Sequence, residues 1–173
     1  MAGIAAPIFS SGPRLGREVT YGHVIADVNE DDLLDVVEAT RFGLIWINNG
    51  DQTFQFRSVL DPSVDRNVYD VEAGDLNGDG HVDLLYVIPQ EHPRIWFGDG
   101  QGQFVDSGQM LDVDVTPFDE GAREAAFGDL DGDGDLDIFL AVQEGYMVWL
   151  NGEAGMAPGF FMDSGQLFGR GRA

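Results

Sequence analysis

The sequence predicts an all-β fold of three four-stranded antiparallel repeats, one after another along 173 residues. Two observations predict it. Three windows align without gaps: Asp27-Val28-Asn29-Glu30-Asp31-Asp32-Leu33-Leu34-Asp35, Asp75-Leu76-Asn77-Gly78-Asp79-Gly80-His81-Val82-Asp83 and Asp129-Leu130-Asp131-Gly132-Asp133-Gly134-Asp135-Leu136-Asp137. Each window is then followed by the same succession of short apolar stretches, so the chain is an array of one repeated unit.

Within each unit the elements follow in order. Ala122 to Phe127 reads as the first strand of the third unit. After the acidic loop come Leu33 to Ala39, Val82 to Ile88 and Leu136 to Val142, rich in Val, Leu and Ile and too short for helices. A third stretch carries a tryptophan and ends in a turn pair: Trp46 before Asn49-Gly50, Trp96 before Asp99-Gly100, Trp149 before Asn151-Gly152. These pairs have the small, φ-permissive chemistry of tight hairpin turns. A fourth strand begins near Phe54, Phe104 and Phe160.

A unit of about 50 residues with four antiparallel strands matches the blade of a β-propeller, whose sheets pack radially around a channel. The reading is a single repeat domain over 1–173, with blades at about 16–60, 68–111 and 121–168. Residues 1–15 contribute an extra outer strand, because Phe9 to Leu15 resembles Phe104 to Leu111. Propellers close with about four to eight blades, so three leave two uncovered blade faces. Either the array is part of a longer propeller, or the ring is completed by oligomerisation, a dimer giving six blades.

Composition narrows the partners. Nine basic residues against 31 acidic ones give a formal charge of −22, which would repel a nucleic-acid backbone. No apolar run reaches the length of a membrane span, so no membrane insertion is expected. The start, Met1 to Pro7, lacks the basic and apolar segments of a signal peptide. Cysteine is absent, which removes disulfides, thiolate nucleophiles and zinc–thiolate sites.

The acidic loops point to calcium. Positions 1, 3, 5 and 9 of the windows hold Asp27, Asn29, Asp31 and Asp35; Asp75, Asn77, Asp79 and Asp83; and Asp129, Asp131, Asp133 and Asp137. Hard oxygens at alternate places in a tight loop suit Ca2+, which takes six to eight oxygen ligands. Position 7, occupied by Leu33, His81 and Asp135, would contribute its backbone carbonyl. Gly80 and Gly134 at position 6 permit the sharp positive-φ turn, whereas Asp32 fills that place in the first loop and makes it the weakest of three sites. An EF-hand shares the spacing but needs flanking helices and an acid at position 12, where only Glu38 qualifies beside Tyr86 and Leu140.

The segments Phe127 to Asp137 and Ala73 to Gly80 resemble FG-GAP/VCBS repeats, the calcium-bearing blades of integrin α-subunit propellers and of many bacterial secreted proteins. The resemblance covers about Val19 to Leu167 and implies a structural calcium site between the first two strands of each blade. It also implies an extracellular or cell-surface module that binds proteins or carbohydrates, some members being lectins or neighbours of catalytic domains.

Nothing in the sequence asks for an enzyme. No nucleophile elbow or phosphate-binding loop occurs, and His23, His81 and His92 are not in metal-pair spacing. The paired carboxylates are already explained by calcium. Trp46, Trp96 and Trp149 read as blade-to-blade packing, with a sugar-stacking ring as the alternative. The function expected is non-enzymatic recognition of a protein or carbohydrate. The alternative is an assembly module that completes a propeller by self-association or flanks a catalytic domain.

Overall fold

The computed structural model describes residues 20–40, 43–59, 68–113, 121–143 and 145–169. They form twelve strands in three antiparallel sheets, each a simple up-and-down succession. The first sheet holds β1 (Gly22–Ala26), β2 (Asp35–Ala39), β3 (Leu44–Asn48) and β4 (Phe54–Val59). The second holds β5 (Asp70–Gly74), β6 (Asp83–Val87), β7 (Arg94–Gly98) and β8 (Phe104–Met110). The third holds β9 (Ala122–Gly128), β10 (Asp137–Val142), β11 (Gly145–Asn151) and β12 (Phe161–Phe168). Among the described residues there is no α-helix, only a single 3-10 turn at Glu153–Gly155. The predicted blades are therefore present, as an arc of sheets that does not close on itself. The proposed strand within residues 1–15 lies outside the described residues.

Burial explains why the second strand of the middle blade, Asp-Leu-Leu-Tyr-Val, is almost wholly apolar. All five residues of β6 are buried, because the middle sheet is covered on both faces. In β2 burial alternates, and Glu38 lies on the less covered face. Two apolar clusters sit between the sheets. One joins Val37, Ala39 and Ile45 of the first blade to Leu84 and Tyr86 of the second. The other joins Leu85, Val87 and Ile95 of the second to Ile138, Leu140 and Trp149 of the third. Trp96 packs against the former cluster and Trp149 belongs to the latter, which is the packing role rather than a sugar-stacking ring. Trp46 stands on the outward face of the first sheet, edge-on to Phe56 at 5.7 Å, with its indole N–H donating to Glu38 at 3.1 Å.

A register shift recurs beside each tryptophan, between the third and fourth strands, at Ile45/Trp46, Arg94/Trp96 and Met147/Trp149. Such bulges increase local twist. The hairpins that follow are wider than two-residue turns. Asn49 N–H donates to Thr53 O at 3.0 Å and Asp99 N–H to Gln103 O at 3.1 Å, while the third hairpin runs from Gly152 to Phe160 around the 3-10 turn. Gly50, Gly100 and Gly152 do take the positive φ expected of them, at 75°, 68° and 64°.

Candidate metal centre

Each acidic loop connects the first strand of a blade to the second, and its shape comes from its own side chains. In the second loop, Asp75 accepts the Gly78 and Gly80 N–H groups at 2.8 and 2.9 Å. Asn77 accepts from Asp79 N–H at 2.9 Å, and Asp79 from His81 N–H at 2.8 Å. The first loop repeats the pattern: Asp27 accepts from Asp32 N–H at 2.8 Å, and Asp31 from Leu33 N–H at 2.9 Å. In the third, Asp129 accepts from Gly132 N–H at 2.7 Å, Asp131 from Asp133 N–H at 3.1 Å and Asp133 from Asp135 N–H at 2.9 Å. Position 6 is left-handed in all three, with φ 67° at Asp32, 89° at Gly80 and 101° at Gly134. Position 4 is left-handed as well, at Glu30, Gly78 and Gly132, a feature that the glycines of the second and third windows could have signalled.

Position 9 does more than face the loop. Asp35, Asp83 and Asp137 are fully buried, and both carboxylate oxygens of each are used by backbone. Asp83 accepts Leu76 N–H at 2.9 Å and Gly98 N–H at 2.8 Å. Asp35 does the same with Val28 and Asn48, and Asp137 with Leu130 and Asn151. One carboxylate thus ties the loop to the end of the third strand. Burial pushes the Asp83 carboxyl up to about 6, despite the two N–H groups that oppose the shift, and raises Asp35 in the same way.

The third loop brings carboxylate oxygens of Asp129, Asp131 and Asp137 within 4.8 Å of one another. Loss of hydration, followed by the charges of Asp133 and Asp137, raises the Asp131 carboxyl against the Asp133 N–H that opposes the shift; a hydrogen bond that its protonated form donates to Glu153, just beyond β11, adds to the rise. Such a group of hard oxygens fits a divalent cation. In the first two loops position 3 is an amide, and Asn29 and Asn77 each donate from Nδ2 to the carboxylate at position 5, at 2.9 and 3.0 Å. The flanking elements are strands throughout, so the helices of an EF-hand are missing from all three loops.

His81 and Glu30 were not paired by the sequence reading. The His81 ring Nδ1 pairs with Glu30 Oε1, joining the second loop to the first. That hydrogen bond, with the Glu30, Asp79 and Asp75 charges behind it, raises the imidazole above its ordinary value. His92 Nδ1 instead lies 3.3 Å from Val113 N, as acceptor of its N–H.

No curated protein matches the chain. The FG-GAP-like repeat does, over residues 27–86 and 82–140, and both matches contain the loop and strands just described. Since these matches span well over half of its length, the chain belongs to the FG-GAP-like repeat family.

Proposed function

We propose that this chain is a calcium-stabilised propeller module that recognises a protein or a carbohydrate outside the cytoplasm and catalyses no reaction. The observation that carries the proposal is the convergence of Asp129, Asp131 and Asp137. Like charges held that close repel one another until a cation lies among them. By the same pattern Ca2+ would be held by Asp27, Asn29, Asp31 and Asp35 with the Leu33 carbonyl, by Asp75, Asn77, Asp79 and Asp83 with the His81 carbonyl, and by Asp129, Asp131, Asp133 and Asp137 with the Asp135 carbonyl. Bound calcium supplies positive charge that relieves this repulsion. The chain supplies the turn that keeps the oxygens together.

Recognition follows from the scaffold. Rigid blades present loops that differ from unit to unit, and binding residues concentrate on such loops. The connection between β6 and β7 is one, with Gln90 held at φ 60° and Glu91 donating its N–H to Ile88 O at 3.2 Å.

Calorimetric titration with calcium and thermal melting with and without chelator test the metal. Binding to the folded state alone stabilises by about 2.7 kcal/mol per site at a hundredfold excess over the dissociation constant. An unchanged melt after verified metal removal refutes the calcium role. A glycan array probed with and without calcium then separates carbohydrate recognition from protein recognition.

A further inference from the structure

The first acidic loop is held from outside by the second blade. Glu30, at position 4 of the first loop, pairs through Oε1 with the ring Nδ1 of His81, at position 7 of the second. The turn between β7 and β8 lies over that pair: a Cβ added to Gly100 would stand 2.6 Å from His81 Nδ1 and 2.7 Å from Glu30 Oε1, so a side chain there would have to displace the pair. Two residues on, a Cβ at Gly102 would touch Ile47 Cδ1 at 3.5 Å, Asn29 Cβ at 3.6 Å and Val28 Cγ2 at 3.9 Å. Arg57 of β4 donates from Nη2 to Gln101 O at 3.4 Å. Glu30 is flanked by Asn29 and Asp31, side chains assigned above to the first ion, and the His81 carbonyl is assigned to the second.

At the next junction the same two positions cannot form this link. Gly78 stands in the place of Glu30 and has no side chain to send across, and Asp135 stands in the place of His81. What lies beside Gly78 is Pro158, whose Cβ would be 3.6 Å from a Cβ added there. The first loop also differs in strain. It carries side chains at both of its left-handed positions, Glu30 at φ 59° and Asp32 at φ 67°, where the other two loops have glycine. Such residues cost more than glycine in that region. The first turn is therefore the one that gains most from outside support, and His81 supplies it.

We propose that the first and second loops bind calcium as a coupled pair, with Glu30 and His81 as the positioning residues that carry the coupling. The proposal rests on the calcium reading and says how two of its sites communicate. With its carbonyl engaged by an ion in the second loop, His81 has a fixed backbone and hence a fixed ring direction. The ring holds Glu30, and through it the backbone that carries Asn29 and Asp31 on either side. The first loop then meets its ion already ordered, so less conformational entropy is lost on binding. Linkage requires that occupancy of the first loop favour the second by the same factor.

The test is a calcium titration of the full chain followed by amide NMR, with the Asp32, Gly80 and Gly134 signals reporting the first, second and third loops separately. Asp79→Asn keeps the oxygen that accepts His81 N–H at 2.8 Å but weakens the second site. The first-loop midpoint should then rise at least about fivefold. Asp31→Asn should raise the second-loop midpoint by the same factor. Asp133→Asn weakens the third loop and should move the first-loop midpoint less than about twofold. Glu30→Gly places at φ 59° the residue that the other loops carry there, and His81→Ala keeps the backbone carbonyl. In either background Asp79→Asn should no longer move the first loop. If Glu30 were only a strained stand-in for glycine, the effect of Asp79→Asn would survive Glu30→Gly, and that result overturns the proposal. A first-loop midpoint that Asp79→Asn leaves unshifted also overturns it, while the calcium reading stands. Signals that no calcium concentration moves overturn both.

Discussion

Asn151 Nδ2 and the Leu76 carbonyl oxygen, 75 residues apart in sequence, lie 2.8 Å apart at the junction of the second and third blades. Both groups are buried, so removing the amide strands a carbonyl away from water. Asn151→Ala should destabilise the chain by about 1–3 kcal/mol in urea unfolding. Asn48→Ala, whose amide lies on the partly exposed first blade, should cost less. Equal losses would show that the junction adds nothing at Asn151.

The two kinds of aspartate in a loop should separate cleanly. Asp83→Ala leaves the Leu76 and Gly98 N–H groups without their acceptor, at roughly 1–3 kcal/mol each. The chain should then fail to fold or melt far lower, with or without calcium. Asp131→Ala alters an exposed side chain, so the metal-free melt should move by no more than about 0.5 kcal/mol. Its calcium-induced stabilisation should drop by one site. A large loss in the metal-free Asp131 variant would count against this division.

Acidity should stabilise the metal-free protein. The Asp83 carboxyl is pushed up to about 6 in the folded state against 3.8 when exposed, so over that interval the fold holds a proton that the unfolded chain releases. Stability therefore falls as pH rises through this window. His81 acts in the same direction: its raised value gives stability that is complete below 6.5 and lost as pH climbs through the folded value. In excess chelator the melting temperature should be higher near about pH 5 than about pH 7.5, and Asp83→Asn should flatten the slope. Calcium should reverse the trend, since its ligands must be deprotonated. A metal-free melt that rises with pH would contradict the assignment.

Position 6 of the loops offers paired substitutions of opposite sign. Asp32 sits at φ 67°, a region that costs a non-glycine residue roughly 1–2 kcal/mol. Asp32→Gly should relieve part of that cost and tighten calcium binding at the first loop. Gly134→Ala, at φ 101°, should lower the melting temperature and weaken the third site. Guanidinium unfolding and calcium titration of both variants read the two effects together.

The fold was legible because its signals are local. Period, turn residues and apolar runs within a dozen residues located the second, third and fourth strands of every blade and the first strand of the third, and the Asp, Asn and Gly spacing located the loops. Hidden from the sequence were the roles that depend on residues far along the chain. Asp35, Asp83 and Asp137 read as ligands by spacing, yet their tie to Asn48, Gly98 and Asn151 requires the third strand to return beside the loop. Glu30 stands where the other two windows have glycine, and only the folded chain places it against His81. Likewise, nothing in the composition of Leu34, Leu130 or Leu76 distinguishes a covered leucine from a bare one. Position in the array decides that.

The doubly engaged carboxylate at position 9 has a consequence for how the blades breathe. Because one Asp side chain restrains an amide at the head of the loop and another at the end of the third strand, neither proton can reach solvent without loosening the other. Deuterium uptake should then proceed in matched pairs, Val28 with Asn48, Leu76 with Gly98 and Leu130 with Asn151, each pair marking the opening of its blade as a unit.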